Sequence, residues 1–152
     1  MSGQLAVAAG LTAAVLAALL SLALILRRTV ITRRGGVVEC ALRHGAGGAW
    51  LYGLAEYRGG QLWWHRSLSL RLRPHAAFDR SQLAVLRSRP AGPGEDVRLG
   101  PGVVIVECEG LLRHRGGPPA RRTVELAMSR AALTGLLSWL EASPIYRIRR
   151  AS

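Results

Sequence analysis

The chain begins with a long run of apolar residues and continues with shorter segments in which apolar and polar positions alternate. Leu5–Leu26 contains no charged side chain. At about 1.5 Å per residue this run spans roughly 33 Å as a helix, enough for a bilayer core of about 30 Å. A helix that is apolar on every face has no place in a small water-soluble domain. We therefore predict a single transmembrane helix over residues 1–26.

After residue 36 the pattern is that of short β-strands separated by turns rich in Gly and Pro. We predict strands at residues 37–43, 50–57, 62–66, 67–73, 83–87, 103–109 and 123–128. The clearest alternation is in Ser67–Arg73, where Leu68, Leu70 and Leu72 should face a core while the Ser and Arg side chains face water. Residues 91–102 are rich in Gly and Pro and are expected to form a loop.

The spacing of apolar residues changes from two to 3.6 near the C-terminus. An apolar stripe at helical spacing consists of Leu133, Leu136, Leu137 and Leu140. Ser129 is a suitable N-cap for this helix, and Pro144 ends it. We predict that the stripe packs on the sheet and closes its core.

Together these patterns predict a mainly β fold with one C-terminal α-helix, a small bent sheet or barrel preceded by a single N-terminal transmembrane helix. The expected organisation is a transmembrane helix at 1–26, a basic juxtamembrane linker at 27–36, a β-rich globular domain at 37–144 whose C-terminal helix spans 129–142, and a basic tail at 145–152.

The charge of the chain favours anionic partners. Its 152 residues include 21 basic side chains, all of them Arg, against 9 acidic ones, and the formal net charge is +12. The arginines that flank the apolar run all follow it: Arg27, Arg28, Arg33 and Arg34. Because basic flanks stay cytoplasmic, we expect the N-terminus outside and the domain inside the plasma membrane, with these arginines near anionic lipid headgroups.

Two alternatives apply to the apolar run itself. Ser21-Leu22-Ala23 is acceptable as a signal-peptide cleavage site, although no basic residue precedes the run, as a signal peptide would require. Small residues recur every fourth position at Ala6, Gly10, Ala14 and Ala18, a spacing that permits close contact between two helices. A dimer through this seam is therefore a hypothesis, and a spacing that arises by chance in an Ala-rich segment is the alternative.

Few side chains in the sequence are candidates for catalysis or metal binding. Cys40 and Cys108 form no CxxC motif or Cys/His cluster and are expected to be buried, reduced thiols. The four histidines have no metal-ligand spacing, and His44 and His114 are expected to be solvated near turns. Trp63 and Trp64 are adjacent on a predicted strand and must point to opposite faces, so one joins the core and the other is a candidate interface residue. We expect no catalytic site, metal or cofactor.

One short pattern occurs twice. Leu42-Arg43-His44 follows a segment with Glu39-Cys40, and Leu112-Arg113-His114 follows a segment with Glu107-Cys108. We interpret this pair as two similar strand-turn segments rather than as a repeat architecture.

Three segments together resemble a known family: Glu39–Arg43, the aromatic hairpin Trp50–Trp64 and the C-terminal Glu125–Glu141. They are similar to an actinobacterial family of single-span membrane proteins of unknown function, and the resemblance covers nearly the whole chain. It implies a membrane location and brings no catalytic residues. The order of strands followed by a helix is also similar to pleckstrin-homology-like domains, in which a final helix caps a bent barrel. That second similarity is one of element order and length, not of motif.

These observations favour a non-enzymatic binding or scaffold module at the inner face of the plasma membrane. Its expected partners are the bilayer, anionic headgroups and a membrane protein whose identity the sequence does not reveal. The alternative is binding of nucleic acid or another anionic ligand through the Arg-rich surface. The arginines are scattered and match no nucleic-acid motif, which disfavours nucleic acid.

Overall fold

The computed structural model describes residues 2–32, 36–69, 71, 73–114 and 116–142. The helices are α1 (Ser2–Thr32), α2 (Glu95–Leu99) and α3 (Arg130–Glu141), and a 3-10 turn covers Arg80–Gln82. The strands are β1 (Val37–His44), β2 (Leu51–Arg58), β3 (Gln61–Arg66), β4 (Ala76–Asp79), β5 (Ala84–Pro90), β6 (Val103–His114) and β7 (Ala120–Ser129). The predicted mainly β domain with one C-terminal helix is confirmed.

Six strands form a closed antiparallel barrel in the order β1-β2-β3-β4-β6-β7, and β7 pairs with β1. Closure depends on the length of β6. Its residues Val104–Glu109 pair with β5, and its residues 112–114 pair with β4 on the same edge. β4 thus completes the barrel, while β5 extends the sheet as a seventh strand outside it. The ladder of β5 is irregular between Val85 and Arg87, and its last residue is Pro90.

The barrel interior is filled by the side chains that point inward, which are every second residue of each strand. Its largest fully buried side chains include Leu42, Trp64, Phe78 and Leu126, each at most 1% exposed. The Trp64 indole crosses β2 at Gly53, where a Cβ would lie 2.5 Å from the ring and 2.4 Å from the His65 carbonyl oxygen. Glycine is therefore required here by close approach. The indole Nε1 donates a hydrogen bond of 3.0 Å to the Cys40 carbonyl.

Helix α3 begins where the sequence predicts, and the Ser129 side chain accepts a hydrogen bond of 3.2 Å from the Ala132 N–H. Leu136 and Leu140 are fully buried, and Leu133 packs against the core from its edge. Leu137 is only half-buried and does not belong to the core cluster. The buried line runs instead through Ala132, Leu136 and Leu140, which share one i, i+4 row of the helix.

Helix α1 leaves its apolar side chains uncovered. From Gly3 to Leu26 it is long and apolar enough to cross a membrane by length and composition, and none of that stretch is buried. Leu5, Val7 and Leu11 are each more than 60% exposed. A signal sequence near an N-terminus has the same length and composition. The helix continues without a break to Thr32, beyond the predicted end at residue 26.

The predicted strand at Ser67–Arg73 is wrong. The described residues of this segment form turns and coil, and Leu68 is 84% exposed. The edge of β3 is already occupied by β4, whose Ala76 and Phe78 are small or flat enough to pack inside. The chain leaves β3 after Arg66 and returns where the His75 N–H donates to the Trp64 carbonyl at 2.8 Å. Leu70 and Leu72 lie outside the described residues.

Three elements were not predicted: β4, helix α2 and the 3-10 turn at Arg80–Gln82. β4 has four residues, too few for a period to be recognised. Helix α2 lies inside the segment 91–102 that was expected to be a loop. It begins after Gly94, whose positive φ of 87° favours glycine.

Candidate functional site

The two ends of the barrel are finished differently. At one end α3 covers the opening, where the Trp139 ring lies 5.1 Å from the Tyr57 ring and the Arg80 guanidinium lies 5.0 Å above Trp139. Burial there raises the pKa of Tyr57 to about 12. At the opposite end β1 and β6 finish and β7 begins, and the side chains that follow the core are basic. This second end is the candidate site.

The basic side chains at this end occupy inward-facing positions of the barrel strands. Four strands place an apolar side chain in the core near this end: Leu42, Trp64, Leu112 and Val124. Because side chains alternate between the two faces of a strand, the next inward-facing position toward this end is two residues further along each strand. Those positions are His44 on β1, Arg66 on β3, His114 on β6 and Arg122 on β7. β7 lies between β1 and β6 and pairs with both, which brings His44 and His114 to the two sides of one strand.

A cavity of about 540 Å³ opens at this end. Its charged and titratable lining residues, which we call the basic mouth, are His44, His75, His114, Arg121 and Arg122. The remaining lining is small or apolar apart from the Thr123 hydroxyl. A cavity of this volume lies in the range of small-ligand sites. Beside it, Arg66 and His75 line a second depression of about 420 Å³ together with Arg71 and Arg73.

The positive groups of the basic mouth are close enough to affect one another. The pKa of His44 is lowered, first by the desolvation of the part of the ring that faces the cavity and then by His75, Arg122 and His114. Each of these neighbours disfavours a further positive charge. An anion placed among them would relieve that repulsion.

Compensating carboxylates are scarce at the basic mouth. Arg121 donates to Glu109 at 3.5 Å and to the Gln82 side chain at 3.3 Å, and both hydrogen bonds are exposed. No carboxylate of the described residues lines the cavity, and among those residues Arg122 has no ion pair. The guanidinium of Arg122 is thus available to a ligand.

The donor set suits an anion rather than a metal. Three imidazoles can serve as metal ligands, but the Arg122 guanidinium in the same cavity opposes a cation. Across the described part of the chain, no three His, Cys, Asp or Glu side chains are grouped so as to hold a metal ion. Protonated imidazoles and guanidiniums are strong donors to phosphate and carboxylate oxygens.

A second charged cluster lies on the outer wall and serves the fold. The Arg89 guanidinium donates to both oxygens of Glu95, at 2.7 and 3.1 Å, and Arg43 Nη2 donates to Glu95 Oε1 at 3.2 Å. The Gly92 N–H adds a hydrogen bond of 3.0 Å to Glu95. Arg43 also binds Glu125 and lies 4.3 Å from the Trp50 ring centre. Because every charge is matched by an opposite one, this cluster fixes α2 to the wall and offers no free group.

A third cluster is a buried pair on the hairpin β2–β3. Glu56 and His65 are 3% and 2% exposed, and His65 Nε2 lies 3.5 Å from Glu56 Oε2. The pair faces outward on strands whose inward positions are Ala55 and Trp64, so it is separate from the barrel core. His65 is thus buried in this pair, whereas His44 and His114 are exposed, as expected.

None of the described site residues that were predicted from sequence lines the basic mouth. Trp64 is 1% exposed inside the core, which excludes it as an interface residue and corrects that expectation. Trp63 is half-buried on the opposite face, where its Nε1 donates to Gln61 at 2.8 Å and Arg58 lies 4.7 Å over its ring. It remains the candidate contact. Arg27 and Arg28 lie in the last two turns of α1, and Arg33 and Arg34 lie outside the described residues.

The two cysteines are buried and the small residues of α1 are exposed, as the sequence predicts. Cys40 and Cys108 are buried free thiols. Burial raises the pKa of both, and Cys108 adds to the increase at Cys40. Burial raises the pKa of Cys108 to about 12. The small residues Ala6, Gly10, Ala14 and Ala18 are all exposed on α1.

Sequence reasoning did not find the basic mouth, but the sequence does contain one signal of it. The repeated Leu-Arg-His of residues 42–44 and 112–114 supplies two of the three imidazoles. Both copies occupy the ends of strands that flank β7, with Leu pointing in and His at the rim. The strand register of the barrel brings the two copies of this short pattern to one site.

An apolar cleft of about 580 Å³ lies on the other side of the wall. Leu24 and Ile25 of α1 form one side, and Tyr52, Leu54 and other wall residues form the opposite side. The cleft marks where the end of α1 approaches the barrel.

Comparison with known proteins gives two findings. The sequence model of the family described as "Protein of unknown function (DUF2550)" matches residues 14–145. The chain is also 36% identical, over 107 residues, to Uncharacterized protein Rv1312 of Mycobacterium tuberculosis strain H37Rv, which covers 70% of this chain and 69% of that protein. Uncharacterized protein ML1147 of Mycobacterium leprae is 33% identical over the same shares of the two chains.

Proposed function

Since the chain belongs to the DUF2550 family, which has relatives in mycobacteria, we propose that it is a membrane-anchored, non-enzymatic module whose barrel binds an anionic ligand. The observation that supports this function is the basic mouth, a cavity lined by imidazoles and guanidiniums with no lining carboxylate among the described residues. The barrel holds this cavity on strand ends, which keep their geometry without a ligand.

The anchor in this proposal is α1, with the N-terminus outside and the barrel at the inner face of the plasma membrane. Its exposed leucines require an apolar environment, and the flanking arginines follow the apolar run. Arg27, Arg28, Arg33 and Arg34 contact anionic headgroups in this orientation at about 1 kcal/mol each.

Topology is tested with new cysteines. Gly3→Cys and Thr134→Cys are placed at exposed positions, while the buried Cys40 and Cys108 keep the background low. A membrane-impermeant maleimide should label Gly3→Cys in intact spheroplasts and label Thr134→Cys only after lysis. Labelling of Thr134→Cys in intact spheroplasts contradicts the orientation. A mature protein that has lost α1, measured by mass spectrometry, contradicts the anchor and supports a signal peptide.

Anion binding is tested on the full chain in detergent micelles. Phosphate and sulfate, compared with chloride at constant ionic strength, should raise the thermal unfolding midpoint, because a ligand that binds only the native state stabilises it. Arg122→Gln should lose most of that increase, and Arg130→Gln, which removes the same charge from the exposed start of α3, should keep it. Equal responses of the two variants contradict binding at the basic mouth.

Absence of catalysis is tested separately. A binding module leaves a chromogenic phosphate ester intact during prolonged incubation. Hydrolysis that Arg122→Gln abolishes and Arg130→Gln retains would show that the basic mouth is an active site.

Three finer proposals accompany this function. Kinship with pleckstrin-homology-like domains is supported by a closed barrel with a C-terminal helix over one end. Dimerisation through Ala6, Gly10, Ala14 and Ala18 is supported by their exposure, and Gly10→Leu should abolish it in a membrane two-hybrid assay. Trp63 is the proposed contact for a membrane protein partner.

A further inference from the structure

We infer that the basic mouth is a site for a phosphate monoester, a step that rests on the anion-binding function proposed above and names its ligand class. The distinguishing feature is the number of positive groups that converge on one small cavity. His44, His75, His114 and Arg122 line it together, and they come from β1, the residue before β4, β6 and β7, whereas the guanidinium of Arg121 is bonded to Glu109 and Gln82. A monoester matches this set because it has three terminal oxygens and a charge of about −1.5 to −2 at neutral pH.

The geometry favours a ligand small enough to enter the barrel end. The cavity volume of about 540 Å³ suits one phosphate with a small organic group. Its floor is formed by Leu112 and Ala76, which are buried core residues, so the phosphate meets the polar rim while an attached carbon group can rest on the floor. In contrast, a duplex or an extended strand would need a row of bases along the surface. At this end the described basic residues line one cavity and the depression beside it.

The phosphate could be carried by a free ester in solution or by a lipid. β1 begins at Val37, five residues after α1 ends, and His44 lies at its other end. At about 3.3 Å per residue the rim is roughly 23 Å from the strand's tethered start. The same phosphate chemistry also occurs on a lipid headgroup, so the experiment separates a free ester from a lipid-borne one.

Binding should couple to protonation in a characteristic way. The titratable and charged groups that face His44 are His75, His114 and Arg122, and each disfavours its protonated form. A bound dianion reverses that bias and favours the protonated form of His44. As pH rises, binding weakens because His44 loses its proton. As pH falls below about 6, a monoester weakens because it becomes a monoanion, whereas sulfate keeps its charge.

The test uses the full chain in nanodiscs of phosphatidylcholine. Dissociation constants for glycerol phosphate, its diester counterpart dimethyl phosphate, and sulfate are measured by calorimetry from pH 5 to 8. We expect the monoester to bind about tenfold more tightly than the diester, with an affinity maximum between about pH 6 and 7. The affinity of sulfate should keep rising as the pH falls. Arg122→Gln should weaken the monoester about tenfold, and Arg130→Gln should leave it unchanged.

The variant His44→Gln separates site chemistry from bulk charge. It removes one titrating imidazole and should flatten the decline above pH 7, while the decline below pH 6 belongs to the ligand and should persist. Thermal unfolding midpoints of all variants in the absence of ligand show whether each is folded. If His44→Gln fails to fold, His44→Asn provides the same measurement.

Each outcome is decisive. Equal affinity for diester and monoester overturns the inference and leaves anion binding standing. Absence of binding by any of the three anions overturns both. Tighter binding of an oligonucleotide than of glycerol phosphate favours nucleic acid and overturns the inference. If nanodiscs that contain phosphatidic acid suppress glycerol phosphate binding and phosphatidylglycerol nanodiscs do not, the monoester is lipid-borne. If neither lipid suppresses it, the ligand is a free ester.

Discussion

Arg43 and Glu125 face each other on neighbouring strands of the outer wall, where Arg43 Nε donates a hydrogen bond of 2.6 Å to Glu125 Oε2. Arg43 is 8% exposed and Glu125 is 7% exposed. Arg89 reaches the other oxygen of Glu125 at 3.5 Å, and Glu95 receives hydrogen bonds from both arginines. The pair therefore joins β1 and β7 to the loop that contains α2.

Removing one partner of this pair should be costly. Arg43→Met leaves the Glu125 carboxylate buried with only a distant arginine, and we expect a loss of about 3 kcal/mol in unfolding free energy. The double variant Arg43→Met, Glu125→Leu should recover most of that loss, since it removes both charges. Urea unfolding of the full chain in detergent, followed by tryptophan fluorescence, measures the difference.

Arg87→Met is the matched control, because Arg87 pairs with Glu107 while its side chain is 70% exposed. A surface pair contributes about 0–1 kcal/mol. If Arg43→Met and Arg87→Met lose the same stability, burial does not strengthen the Arg43 pair.

Acid should loosen α2 before it unfolds the barrel. The Arg89 side chain, then the Gly92 N–H and further Arg charges, lower the pKa of Glu95 to about 2. The stabilisation by Glu95 is therefore complete above its unfolded value of about 4.5 and disappears as the pH falls toward 2. Glu95→Gln should cost on the order of 1–2 kcal/mol at pH 7 and almost nothing at pH 2. A difference between wild type and variant that does not change with pH contradicts this.

The buried row of α3 should dominate its contribution to stability. Leu136→Ala removes a fully buried side chain and should cost about 2–5 kcal/mol. Leu137→Ala, on the same helix but outside the core cluster, should cost clearly less, and Arg130→Ala should change the thermal midpoint little. Equal effects of Leu136→Ala and Leu137→Ala would mean that the two leucines are equally buried in solution.

His44 should make the ligand-free protein less stable in mild acid. Its pKa is lowered in the folded state, so the unfolded chain takes up the proton first, and stability falls as the pH drops below the unfolded value of about 6.5. His44→Gln should remove that part of the decline. An NMR titration should place the His44 pKa below 6.5, and Arg122→Gln should raise it. An unchanged value would show that Arg122 and His44 do not interact.

Much of the fold was predictable because its elements follow simple periods. The apolar run predicted α1, and the stripe ending at Leu140 predicted α3. The failure at Ser67–Arg73 has a physical cause: alternation shows only that two faces differ, and a strand also needs a neighbouring edge. β4 occupies the edge of β3 with Ala76–Asp79, a segment too short to show a period.

The site was less predictable because it depends on closure. His44 and His114 are 70 residues apart in sequence and meet only because β1 and β6 pair with the two edges of β7. Arg122 joins them because the register of β7 turns it inward. A pattern within one strand predicts which face a side chain takes. It does not predict which strand ends share a rim.

The position of β5 outside the barrel has a consequence for self-association. In the closed barrel each of the six strands pairs with a neighbour on both sides. Within the described residues, the outer side of β5 is therefore the edge to which another chain would add a strand. That side is poorly suited to it. An irregularity at Val85–Arg87 interrupts the ladder, and Pro90 offers no N–H at its end. A second copy of the chain therefore finds an interrupted ladder at the edge where cross-β stacking would begin.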